Sequence, residues 1–157
     1  MESRLDFAKG TPSGVHAMLE LTRAVHESGL GEPLINLVFM RASQMNGCAY
    51  CIDMHWKDAR AAGESEQRLY GLDAWRETSF FNERERAALA WTEALTDIQD
   101  GHASDEEYEA VRKQFDEKEI AKLMLAIVTI NAWNRIAIST RAVAGSYQVP
   151  KASGKAG

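Results

Sequence analysis

No run in this chain alternates apolar and polar residues as a strand does; its apolar residues recur at helical spacing, broken by stop signals. Thr11-Pro12-Ser13 opens a first predicted helix with Val15, Met18, Thr22 and Val25 on one face, and Ser28-Gly29 ends it. Pro33 suits the first turn of a second, which runs to the stop at Asn46-Gly47. A third starts near Cys48 and ends at Gly63, and Ser65 caps a shorter one carrying Leu69, Leu72 and Trp75. Ala87, Ala88, Trp91, Ala94, Leu95 and Ile98 mark a fifth. Ser104 with Glu107, and Asp116 with Glu119, have capping-box spacing and open the last two, the first carrying Tyr108, Val111 and Phe115, the second Ile120, Leu123, Met124 and Ile127. The expected fold is therefore all-α, with about seven helices.

The 157 residues fit a single domain, 1–157, large enough to bury a core without staples. The small polar stretch 150–157 is expected to fray. A net charge of −5 without a basic stripe gives no support to nucleic-acid binding. No charged-then-apolar leader opens the chain, so a cytoplasmic location is expected. The most apolar stretch, Leu123 to Ile138, is interrupted by Thr129, Asn131, Asn134 and Arg135, so it is expected to be a buried helix rather than a membrane span.

Only two cysteines are present, three positions apart. In a reducing compartment such a pair is more often catalytic or metal-binding than a structural staple. Asn46-Gly47 breaks the preceding helix, so Cys48 falls near a new helix N-terminus, where unpaired amides stabilise a thiolate. Cys51 lies one turn on, and His55 four residues beyond it on the same face, so the imidazole can take the Cys51 proton. This makes Cys51 the nucleophile and Cys48 the resolving thiol, although a thioredoxin-like order would make the first cysteine attack. A structural zinc would need a fourth ligand from His16, His26 or His102, and covalent haem attachment would need histidine where Ile52 stands. No cofactor or resident metal is expected. The bland alternative is a pair of inert buried cysteines.

The run Arg41-Ala42-Ser43-Gln44-Met45-Asn46-Gly47-Cys48-Ala49-Tyr50-Cys51-Ile52-Asp53-Met54-His55 closely resembles the alkylhydroperoxidase D-like proteins of the carboxymuconolactone decarboxylase superfamily. The likeness continues through Lys57-Asp58-Ala59-Arg60, Gln67-Arg68-Leu69-Tyr70, Glu83 to Thr96 and Asn131-Ala132-Trp133-Asn134-Arg135, covering roughly residues 30 to 143. The resemblance implies an all-helical fold assembled as a homotrimer or homohexamer. It implies a peroxidase in which Cys51 attacks an alkyl hydroperoxide or hydrogen peroxide, Cys48 resolves it and His55 relays the proton. It also implies a dithiol reductant, either a lipoyl carrier or a thioredoxin-like protein. The alternative functions are a protein disulfide reductase or redox-sensing module, and a decarboxylase or lactone-processing enzyme, which would not need the cysteine pair.

The chain departs from the family pattern at one position. A glutamate usually stands twelve residues before the first cysteine, as the outer member of the proton relay; here that position is Asn36. An amide cannot exchange a proton near neutral pH. The relay is then either shortened to His55 or completed by another carboxylate, with Glu93 and Asp53 as candidates, each read more readily as a solvated or locally paired acid. Tyr50, Met54 and Trp56 flank the motif and are read equally as pocket lining or core. Asn134 and Arg135, in an apolar helix, are read as satisfying buried backbone or acidic groups at a helix junction, the alternative being that Arg135 faces the site or a subunit contact. No partner is evident for His16, His26 or His102.

Overall fold

The computed structural model describes residues 2–150, so the expected frayed tail, 150–157, lies outside the described residues except for Pro150. Eight α-helices and one 3-10 helix form the regular structure there, without a strand. They are α1 (Phe7–Gly10), α2 (Pro12–His26), α3 (Glu32–Asn46), α4 (Ala49–Ala61), α5 (Glu66–Gly71), the 3-10 helix Leu72–Glu77, α6 (Glu83–Thr96), α7 (Asp105–Arg112) and α8 (Glu117–Thr140).

Two elements are added to the expected seven, and one helix end moves. α1 is a single turn, closed by Asp6 accepting from the Lys9 backbone N–H. The helix expected after Ser65 is split, because Leu69, Leu72 and Trp75 recur every three residues, which is the 3-10 period. All three are buried, and the turn that aims them inward passes through non-helical φ/ψ at Ala74. α6 stops at Thr96, so Ile98 is exposed rather than part of its apolar face. The Ser65, Ser104 and Asp116 caps form as expected, and Asn82 with Glu85 adds a third capping box.

α3 is the axis of the fold and packs against α4, α6 and α8. Its residues face two core clusters. Leu34, Ile35, Val38, Phe39 and Ala42 join Trp91, Val111, Phe115, Leu123, Ile127 and Ile130, while Leu37 and Met40 join Leu69, Leu72, Trp75 and Leu89. A helix apolar on all sides is stable only when surrounded, and α3 is. α8 is long and apolar enough to cross a membrane by length and composition alone, which the shorter stretch from Leu123 had not suggested. Ile120, Leu123, Ala126, Ile127 and Ile130 nevertheless fill the core.

The α3–α4 junction sets the position of the cysteines. Gly47 adopts the left-handed conformation (φ 66°), so its N–H reaches Gln44 O and the Cys48 N–H reaches Ser43 O, closing α3. Beneath the turn, Asn46 Nδ2 donates to Asn131 Oδ1 and Asn134 Oδ1, both at 2.9 Å, and Asn134 Nδ2 donates to Ser43 Oγ at 3.0 Å. Arg135 donates to the backbone and side-chain oxygens of Asn131, as the junction reading expects. The asparagines of α8 thus clamp the end of α3 from which Cys48 emerges.

Candidate functional site

Cys48 is the N-cap of α4, and its Sγ accepts from the Cys51 N–H at 3.4 Å. Cys51 lies in the first turn, and the two are joined by a disulfide with a Cα–Cα distance of 5.3 Å. Both are buried, at 1% and 2% relative exposure. They are not equivalent, because Cys51 lines a cavity of about 550 Å³ and Cys48 does not. That volume falls within the range that holds small organic ligands.

α2, α3, α4 and α8 enclose the cavity. Leu19, Phe39, Met54, Ala62, Trp133 and Ala137 give it mostly apolar walls. Trp133 is fixed by donating from Nε1 to Thr22 Oγ1 at 2.9 Å, which ties α8 to α2. Tyr50 and Met54 therefore line the cavity, whereas Trp56 packs against the second core cluster.

His55 lines the same cavity from one turn beyond Cys51 and packs edge-on to Phe39, with ring centroids 5.0 Å apart. It makes no hydrogen bond to any described side chain. Burial first, and the charge of His26 second, push its pKa down to about 4. At neutral pH it is an uncharged imidazole. Asn36 is also on the wall, so the position where a relay carboxylate was sought does face the site, with an amide in its place.

The two carboxylates considered as substitutes are elsewhere. Glu93 accepts from Arg41 Nε and Trp75 Nε1, both at 2.7 Å, and pairs with Arg76. Burial pushes its pKa up, but these donors outweigh it and hold the carboxyl below its usual range. Asp53 is held low chiefly by Lys57, at 2.9 Å, and also accepts from the Gly145 N–H. Neither lines the cavity.

The acids that do line it are Glu32 and Asp58. Asp58 accepts from Tyr147 Oη at 2.7 Å. Glu32 meets Nδ1 of His26, itself on the cavity wall, at 2.8 and 3.0 Å. His26 thus has a partner that the sequence did not reveal. The signal was weak but present, since the two are six residues apart across the α2–α3 turn. Among the described residues no three His, Cys, Asp or Glu side chains gather as a metal site would require.

Comparison with known proteins gives this arrangement a family context. The pattern of the carboxymuconolactone decarboxylase family matches residues 12–94, a span that includes α2, α3 and α4. The uncharacterized protein YdfG of Bacillus subtilis (strain 168) is 42% identical over 139 residues, covering 88% of this chain and 95% of that protein. A crystal structure of a protein of unknown function from Agrobacterium tumefaciens, described as a candidate antioxidant defence protein AhpD, superposes with a TM-score of 0.90 at 40% identity. It covers 93% of this chain and 100% of its own. The debrominase Bmp8 has the same fold, with a TM-score of 0.80 at 19% identity over 88% of this chain and 74% of that one.

Proposed function

The chain belongs to the carboxymuconolactone decarboxylase family, and from that premise we propose that it is a thiol-dependent peroxidase reducing alkyl hydroperoxides or hydrogen peroxide. The observation that carries this reading is the asymmetry of the cysteine pair. Of the two cysteines only Cys51 opens on the apolar cavity, which the His55 imidazole also lines. A reduced Cys51 passes its proton to His55, and the thiolate attacks the outer peroxide oxygen. The O–O bond breaks, an alcohol or water leaves, and Cys51 becomes a sulfenic acid. Cys48 then condenses with it, releasing water and forming the disulfide.

A dithiol must reduce that disulfide by exchange. Because both sulfurs are buried, a slim donor such as a lipoyl arm fits better than a bulky protein disulfide surface. The same burial argues against the alternative of a general protein disulfide reductase. Decarboxylation or lactone processing leaves the cysteine pair without a task. A reducing compartment such as the cytoplasm suits the cycle.

The test is peroxide consumption with several dithiol donors, comparing the native protein with Cys51→Ser. Turnover by the native protein with a lipoyl donor, and none by the variant, is expected. Equal rates would refute the assignment.

A further inference from the structure

Two imidazoles face the cavity, and the chemistry above uses one. His55 lies one turn beyond Cys51 on α4 and lines the same cavity. His26 comes from the end of α2, a different wall of the cavity from α4, and both imidazoles approach the Phe39 ring, whose centroid is 6.0 Å from His26 and 5.0 Å from His55. The Glu32 carboxylate holds His26 through Nδ1, which leaves Nε2 without a hydrogen-bond partner among the described residues. Glu32 lies one turn before Asn36 on the same face of α3. The carboxylate on this wall therefore serves His26 rather than His55.

Displacement at a peroxide oxygen is in line, so the leaving oxygen points away from the attacking sulfur. A base beside the sulfur is poorly placed to reach it. An alkoxide is strongly basic, and an apolar cavity does not stabilise it, so a proton must be supplied from beyond the O–O bond.

Resting on the peroxidase reading, we propose that His26, oriented by Glu32, is the general acid that protonates the departing oxygen. The proton of the Cys51 thiol goes to His55. The Sγ electron pair forms the S–O bond as the O–O bond breaks, sulfur losing two electrons to the peroxide. The departing RO⁻ takes its proton from Nε2 of the doubly protonated His26 ring, whose Nδ1–H stays on Glu32, and the ring recovers that proton from solvent at the cavity mouth, where His26 and Glu32 are partly exposed.

The test varies the leaving group in single-turnover oxidation of the pre-reduced protein. Cumene hydroperoxide expels a basic alkoxide, whereas meta-chloroperoxybenzoic acid expels a carboxylate that needs no proton. His26→Asn is expected to slow Cys51 oxidation about 100-fold with the hydroperoxide and less than about threefold with the peracid. Glu32→Gln, which keeps the shape of the pair, should give the same selective loss to a smaller degree. A loss equal for both oxidants, or none, would overturn the role of His26 and leave the peroxidase reading standing. Failure of either oxidant to oxidise Cys51 in the native protein faster than it oxidises free cysteine would overturn both.

Discussion

At His55, burial makes the protonated ring costly, and the cost is measurable as stability. The ring is neutral in the fold down to about pH 4, whereas in the unfolded chain it titrates near its ordinary value of 6.5. Between those values the unfolded state binds the extra proton, so stability is whole above pH 6.5, falls as pH drops, and levels off below about 4. The full loss is about 3 kcal/mol. Urea unfolding of the native protein and His55→Gln at pH 7, 5 and 4 checks it: the difference between them should shrink or reverse as pH falls. Asn36→Glu tests the neighbouring position. A carboxylate on this wall should raise the His55 titration above 4, read by NMR of the ring, and an unmoved titration would mean that the side chain does not reach. What was legible at this scale was local. Cys48, Cys51 and His55 lie within two helical turns, so spacing alone brought Cys51 and His55 to one face. The partner that pairs Glu93 was not legible, because Arg41 is 52 residues away and no helical period reports a contact of that kind.

The α3–α4 junction is the element on which the site depends. Nothing lies within 4 Å of a Cβ added to Gly47, so Gly47→Ala meets no clash and should cost only the left-handed strain of about 1 kcal/mol, seen as a lower urea midpoint. A much larger cost would contradict that account of the turn. Asn134 is fully buried and holds Asn46 and Ser43 together. Asn134→Leu leaves both partners short of a bond and should destabilise by about 1–3 kcal/mol. The helices themselves were largely legible, because caps and periodicity act within a few residues. Ser65, Ser104 and Asp116 start their helices as their side chains predict. The 3-10 segment was not, because a three-residue recurrence satisfies the α pattern nearly as well over so short a span. Asn134 was read as satisfying buried groups at a helix junction, but its partners Asn46 and Ser43 were not legible, since polar residues in an apolar helix do not announce distant contacts.

Over the whole molecule, α8 is half interior and half unaccounted for. Its inner face fills the core, but Met124, Leu125 and Val128 lie together on the outer face, Val128 at 57% exposure. Covering such a stripe favours self-association, and a trimer or hexamer is the expected assembly. Sedimentation at micromolar concentration should show it, with Val128→Glu shifting the protein toward monomer; a native monomer would contradict the expectation. The account as a whole turns on one sulfur, the one that reaches the cavity. The direct measurement is intact-mass analysis of reduced Cys48→Ser after one equivalent of cumene hydroperoxide, with a sulfenic-acid trap. The prediction is a single added oxygen on Cys51, trapped because its resolving partner is gone. An unmodified Cys51 in the folded variant, alongside a Cys51→Ser protein that forms the adduct on Cys48, would contradict it.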